Sequence, residues 1–374
     1  MKAFTGAAIF DGFTRHEGQA LLVERRRVTG MVPEGLVPAG VERVEVSGLL
    51  APGLVDLQVN GGGGVLLNEA PTAEGIAAIC AAHARSGTTA LLPTLITDTP
   101  ERTALALAAG RAAEGVRGFL GLHLEGPHLD SRRCGAHDPA LIRPMEEADL
   151  RAMLGAALPH LMVTLAPEAA TPVQVSALAK AGVLVSIGHS DTGIEGAKAL
   201  IAAGARCVTH LFNAMSQLGS REPGLVGAAL ADEGLWAGII ADGFHVHPAS
   251  LALAKRAKGE RLFLVSDAMP SVGMAGDSFT LNGRIVTRAG GRLTLADGTL
   301  AGADIALIDA VRVMVRQVGL SLEEALRMAS LRPAQALGVQ ATHGHLRPGA
   351  RADMLLLDEA LEAQGVWIGG EAAF

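Results

Sequence analysis

The middle of the chain alternates short apolar runs with helical stretches. The runs are Gly53–Val59, Ala90–Leu95, Gly118–Glu125, Leu161–Pro167, Val183–His189, Cys207–Phe212, Trp236–Asp242 and Arg261–Asp267. Each is too short for a typical helix and is bounded by turn residues, so each predicts a strand. Between them, Ala73–Arg85, Glu101–Glu114, Pro172–Ala181, Gly193–Ala203 and Pro248–Lys258 predict helices. Near-continuously apolar strands separated by helices predict a parallel sheet covered by helices. Eight such units favour an α/β fold of the (β/α)8 TIM-barrel type over an open doubly wound sheet.

A long helix is expected over Asp304–Val318. Another opens at Ser321, where Ser321 and Glu324 have capping-box spacing and satisfy each other's end donors. A Gly-rich insertion, Pro270–Gly302, precedes these helices. Its Asn282-Gly283, Gly290-Gly291 and Asp297-Gly298 pairs predict hairpin turns. The two ends read as short strands, at Ala7–Phe10, Gln19–Val28 and Val41–Val46, then at Asp353–Leu357 and Val366–Ile368. Neither end is long enough for its own core. The expectation is one small β-sandwich domain built from residues 1–48 and 346–374, beside a barrel of residues 49–345.

Composition narrows the function. Apolar residues make up 49% of the 374, which excludes a disordered chain. The net charge is −7, basic runs are absent and aromatic residues are 3%, so a nucleic acid is not the expected partner. No apolar run reaches membrane-spanning length, and the first residues lack the apolar core of a signal peptide. Cys80, Cys134 and Cys207 form no CxxC pair. A cytoplasmic protein with reduced thiols is expected.

Catalytic residues of such barrels sit at the C-terminal ends of the strands. Polar residues gather there: Asp56, Gln58 and Asn60 on strand one, His123 and Glu125 on strand three, then His189, His210, Asp242 and Asp267 on strands five to eight. One carboxylate and two imidazoles from neighbouring strands could converge on one metal ion, leaving a position for water. Each alone reads as readily as a hydrogen-bonded structural residue. Together they argue for a metal, because burying that much unpaired charge is costly. His123 lies on the same strand face as Glu125 and reads either as support for a ligand or as packing. Asp267 suits the proton transfers of a hydrolysis, or else a helix cap.

Other schemes fit less well. His189-Ser190-Asp191 has triad residue types, but adjacent residues cannot face one another as a triad must. The Asn60–Gly64 run lacks the Lys of a phosphate-binding loop. Cys134 lies in a polar loop with Arg132, Arg133 and His137, with no base fixed beside it.

These residues bring a resemblance into view. Pro52-Gly-Leu-Val-Asp56, Gly121-Leu-His-Leu-Glu-Gly-Pro127, Val163-Thr-Leu-Ala-Pro-Glu168, Gly188-His-Ser190, Thr209-His-Leu-Phe-Asn-Ala-Met215, Arg221-Glu-Pro-Gly224, Ile240-Ala-Asp-Gly243 and Val265-Ser-Asp-Ala268 occur in this order. The chain resembles the N-acetylglucosamine-6-phosphate deacetylase family of the amidohydrolase superfamily. The resemblance implies hydrolysis of the acetamide of a phosphorylated amino sugar. It implies a metal on Glu125, His189 and His210, Asp267 as base and then acid, and His137 polarising the acetyl carbonyl. It further implies substrate contacts at Ala136, His137, Asn213, Ala214, Arg221, Asp242, His245, Leu300, Ala301 and Gly302. Arg221 would reach into a neighbouring subunit of a homodimer.

The superfamily's usual His-x-His on strand one is replaced by Gln58 and Asn60, whose amides are poor metal ligands. They read as vestigial second-metal positions. Pro167-Glu168 stands where a bridging Lys is common. One divalent ion per subunit is therefore expected, Zn²⁺ by default, with Fe²⁺ or another divalent ion compatible. Two other readings stay open: an amidohydrolase acting on a cyclic amide or a different N-acetyl sugar, and an inactive barrel used as a scaffold.

Overall fold

The computed structural model describes residues 1–281 and 283–373. Eight parallel strands follow one another in chain order: β1 (Leu54–Val59), β2 (Thr88–Ile96), β3 (Leu122–Glu125), β4 (Leu161–Leu165), β5 (Leu184–Ile187), β6 (Cys207–Val208), β7 (Trp236–Ile240) and β8 (Leu262–Val265). Every residue of these strands is buried, as expected of a sheet with helices outside and packed side chains inside. The seam between β8 and β1 closes through the backbone. Asp267 N–H donates to Gln58 O at 3.0 Å, and Asn60 N–H to Ala268 O at 2.9 Å. The Asp56 carboxylate accepts Ser266 N–H in the same seam, at 3.2 Å. Burial pushes the Asp56 carboxyl up to about 7. The (β/α)8 barrel is thus borne out.

The outer helices start where local chemistry says they should. Thr72, Thr99 and Thr171 cap the helices Ala73–Ala84, Pro100–Ala112 and Pro172–Lys180, accepting N–H groups three residues on. Proline opens the last two of these helices, where its missing N–H costs nothing.

The chain ends form two sheets. One runs Arg27–Pro33, Gln19–Glu24, Lys2–Thr5, Glu42–Glu45. The other runs Glu371–Ala372, Ala363–Ile368, Met354–Leu357, Leu49–Pro52, Ala8–Phe10, Arg15–His16. Phe4, Ile9, Leu21, Leu50, Met354 and Leu356 pack together between them, and Phe4 meets Trp367 edge-on at 5.1 Å. This is the expected β-sandwich. Leu49–Pro52 pairs antiparallel with Met354–Leu357, so by hydrogen bonding it belongs to the sandwich and the barrel wall starts at Leu54.

Several local expectations change. Gln19–Val28 is a hairpin rather than one strand, because Arg25 and Arg26 turn at φ 50° and 69°. The sixth run holds a strand only at Cys207–Val208; His210 and Phe212 have φ of 29° and 80°, which ends extended pairing. The Ser321 hydroxyl accepts Glu324 N–H, but the Glu324 carboxylate turns to Lys255 at 2.7 Å and Arg327 at 2.8 Å. The capping box is therefore half formed, because two cations outcompete a helix-end N–H. In the insertion, Ser278–Leu281, Arg284–Ala289 and Arg292–Thr294 form an antiparallel sheet. Gly290 and Gly291 turn at φ 57° and 77°, as the hairpin pattern requires. Asn282 of the first predicted turn lies outside the described residues.

Gly48 leads into Leu49 at φ +122°, and a Cβ there would lie 2.3 Å from Leu357 O. Gly48→Ala should cost about 2–4 kcal/mol through strain and clash. Chemical denaturation checks this, and an unchanged midpoint would contradict it.

Candidate active site

The site begins with one carboxylate. Glu125 ends β3, is 2% exposed, and points into the mouth of the barrel. His189 and His210 stand just past β5 and β6. Glu125 Oε1 lies 3.2 Å from His189 Nε2 and 3.0 Å from His210 Nε2, and the two Nε2 atoms are 3.0 Å apart. Burial opposes the Glu125 charge, yet the hydrogen bonds of the two imidazoles hold its carboxyl well below the usual range.

The backbone does part of this aiming. His189, His210 and Asp267 have φ of 48°, 29° and 51°. L-residues seldom adopt this left-handed region, and doing so at a strand end swings the side chain inward.

This donor set fits a divalent metal. Ligand atoms about 2.0–2.1 Å from a tetrahedral ion lie about 3.3 Å from one another, close to the spacing of these three. His189 Nδ1–H donates to Arg133 O at 2.8 Å, which turns Nε2 toward Glu125 and His210, where it would offer its lone pair to a bound metal. Among the described residues, this is the one cluster of three or more such side chains with converging donor atoms.

Asp267 stands beside the cluster. Burial, and then the charge of Glu125, push its carboxyl up to about 6. Its Oδ1 accepts from Asn60 Nδ2 at 2.8 Å and from Gln58 Nε2 at 3.1 Å. Gln58 Nε2 also lies 3.1 Å from both Glu125 oxygens. The two strand-one amides therefore donate to the two carboxylates instead of presenting oxygens to a cation. Asn60 Oδ1 is buried and has no partner among the described residues.

His137 completes the group, with Nε2 3.9 Å from Glu125 Oε2. Thr97 N–H donates to His137 Nδ1 at 3.3 Å. Nδ1 is thereby an acceptor, so the neutral ring carries its proton on Nε2, toward the cavity. Burial first, and then His189, push this imidazole down to about 3. His123 stays out of the cluster. It bonds Thr94 Oγ1 at 3.2 Å and Thr164 Oγ1 at 2.7 Å. Thr164, Thr209 and Ser186 continue the chain through hydroxyl contacts of 2.6 Å. This buried polar belt crosses β2 to β6 beneath the cluster. Sequence reading missed it, although its residues occur at matching positions just below the strand ends.

A cavity of about 380 Å³ opens above these groups. Ala136, His137, Asn213, Ala214, His245, Leu300, Ala301 and Gly302 line it, with Asn60, Glu125, His189, His210 and Asp267. Asp242 lies behind His245 and holds its Nδ1 at 2.6 Å. The insertion forms one wall: Leu281, Thr299 and Leu300 face the cavity, and Arg284 donates to Ala136 O. Arg221 is exposed and lies outside the lining. Arg132 and Arg133, which the sequence did not single out for binding, line it instead. Cys134 is half-buried beside them, while burial of Cys80 and Cys207 pushes both thiols up to about 12. Glu168 accepts Ser190 Oγ–H at 2.7 Å and pairs with Arg132 at 3.5 Å.

Comparison with known proteins agrees with this geometry. The chain is 42% identical to an N-acetylgalactosamine-6-phosphate deacetylase of Shewanella sp. (strain ANA-3), over 88% of this chain and 84% of that one. It is 38% identical to the N-acetylglucosamine-6-phosphate deacetylase of Homo sapiens, over 88% and 85%. The crystal structure of N-acetylglucosamine-6-phosphate deacetylase from Pasteurella multocida superposes with a TM-score of 0.97 at 33% identity, covering 99% of both chains. The model of the amidohydrolase family matches residues 49–373. The resemblance read from the strand-end motifs is borne out, and the chain belongs to the amidohydrolase family.

Proposed function

We propose that the protein hydrolyses the acetamide of N-acetyl-D-glucosamine 6-phosphate, giving D-glucosamine 6-phosphate and acetate. The observation that carries this reading is the convergence of Glu125, His189 and His210 with Asp267 and the Nε2–H of His137 around one cavity. Glu125, His189 and His210 would hold one divalent ion per chain, with Zn²⁺ the default for this ligand set. Such an ion polarises a carbonyl and makes water a better nucleophile near neutral pH.

The chain's own residues then divide the work. Gln58 and Asn60 both donate to Asp267 Oδ1, which leaves Oδ2 as the oxygen for proton transfer. Asp267 takes a proton from the attacking water and returns it to the departing amine. His137 donates Nε2–H to the carbonyl oxygen as negative charge develops there. Its neutral state suits this role, because a cationic ring would compete with the metal. His245, held by Asp242, together with Asn213, Ala214 and Ala136, would bind the sugar phosphate, and Leu300–Gly302 would close one side.

Arg221 lies outside its own cavity, so its role in phosphate binding requires a second copy of the chain. We infer a homodimer on that ground. The free cysteines support a cytosolic location, and among the described residues no helix is long and apolar enough to cross a membrane. A second reading has a specific support: two relatives, at 42% and 38% identity, are N-acetylgalactosamine-6-phosphate deacetylases. Assaying both C4 epimers, with cyclic amides as controls, separates the readings. Acetate release from neither sugar phosphate would overturn both.

Asp267→Asn should lower kcat by about three orders of magnitude with metal content unchanged, since it removes proton transfer and not a ligand. Retained turnover in metal-loaded variant would displace Asp267 from this role. Arg221→Ala should raise KM for the phosphorylated sugar about tenfold or more and leave free N-acetylglucosamine nearly unaffected. Equal losses would remove the phosphate role. Metal titration with activity should saturate at one ion per chain; a strict requirement for two would refute the assignment of Gln58 and Asn60.

A further inference from the structure

A second cavity, of about 270 Å³, opens at the other end of the barrel. Its wall comes from the start of β2 at Thr89 and Ala90, from the loop Gly115–Leu120, and from His160 just before β4. The sandwich supplies Arg26, Arg351 and Asp353, and His343 comes from the segment just before its C-terminal part. β2 runs from Ala90 at this cavity to Ile96 at the catalytic mouth, six steps of the strand, so the two lie about 20 Å apart. No step of the proposed reaction uses these residues.

The lining is strongly biased in charge. Three guanidiniums, Arg26, Arg117 and Arg351, face one carboxylate, Asp353. That carboxylate is already committed: Asp353 Oδ2 takes Arg351 Nε at 3.0 Å, and Oδ1 accepts Gly369 N–H at 2.6 Å. Among the described residues, Arg117 donates only to backbone carbonyls, from Nη2 to Glu371 O at 2.8 Å, Ala372 O at 3.2 Å and Ile368 O at 3.5 Å. Carbonyls position a guanidinium without neutralising it. Among the described residues, no carboxylate lies within 4 Å of the Arg26 or Arg117 guanidinium. His343 and His160 add imidazole rings to the same wall, with His343 Nε2 3.9 Å from Asp353 Oδ2. Among the described residues, a protein of net charge −7 thus lines this concave site with two more guanidiniums than carboxylates. Planar guanidinium forks match tetrahedral oxyanions in shape and charge.

We propose that this cavity is a binding site for a phosphate group, separate from the catalytic mouth. Its size admits inorganic phosphate or the phosphate end of a small phosphomonoester. Bound anion would tie the β2 and β3 ends of the barrel to the sandwich through Arg117 and Arg26.

The test is equilibrium dialysis of the metal-loaded protein against labelled inorganic phosphate, and separately against labelled glucose 6-phosphate. The inhibition constant of phosphate in the deacetylase assay reports the catalytic site independently. Wild type should bind phosphate or the ester at a site beyond the catalytic one. Arg26→Gln with Arg117→Gln should weaken that binding at least tenfold while leaving the inhibition constant unchanged. The arm that binds more tightly identifies the ligand as free phosphate or ester. Arg26→Gln alone, on an exposed hairpin turn, should weaken it severalfold with an unchanged Tm, which guards against a folding artefact in the double variant. One bound anion per chain, competitive with substrate, would overturn the proposal. So would second-site binding that is equally tight in both variants.

Discussion

A fully buried carboxylate cannot stand alone, and Glu125 is the charge around which this barrel is arranged. Removing a carboxylate from water costs several kcal/mol unless partners replace the lost hydration. Here the partners come from three directions: the Gln58 amide, His189 and His210. All of them are held by strand ends, so a shift in any one strand would leave a buried charge unmatched. The barrel can supply such alignment because its wall is closed by backbone bonds between β8 and β1. The same closure sets Asp267 beside Asn60 and Gln58. Scaffold and site are therefore one construction: the seam that completes the barrel also fixes Asp267, the proposed general base.

The charge balance also explains the amides on strand one. Imidazoles at positions 58 and 60 would bring further metal-binding atoms to the mouth. Amides donate to Glu125 and Asp267 instead, stabilising two negative groups that would otherwise repel each other. Asp267 still feels Glu125, which helps to keep its carboxyl high and ready to exchange a proton. Below them, the hydroxyl belt through His123 lets polar side chains occupy the barrel interior without orphaned donors.

Much of this was legible in the sequence, for a physical reason. Buried parallel strands are apolar throughout, so a Glu, His or Asp at the end of such a run stands out. That is how Glu125, His189, His210 and Asp267 could be read before any coordinates. The order of the strand ends then located them on one face of the barrel. What escaped was three-dimensional. The Arg25–Arg26 turn lacks the Gly or Asn that announces a hairpin, so Gln19–Val28 read as one strand. Thr94, Thr164, Ser186 and Thr209 look like ordinary β-formers until the barrel brings them level. Glu324 has capping-box spacing, and only the packed neighbours Lys255 and Arg327 show why it points elsewhere.

The most informative mismatch concerns phosphate. Arg132 and Arg133 line the cavity, yet they sit among Asp130, Glu168 and Asp191. Three carboxylates against two guanidiniums leave that rim net negative, so it does not by itself attract a dianion. His245 is tied to Asp242 in the same way. No Phe or Trp lines the cavity among the described residues, so ring stacking does not compensate. The cavity of one chain thus has the atoms for breaking an amide but little unspent positive charge for a phosphorylated sugar. Arg221 is exposed and its side chain makes no hydrogen bond or ion pair among the described residues, which fits the phosphate-binding role proposed for it. That shortfall is what supports the proposed homodimer, in which one subunit's Arg221 would complete the other's site.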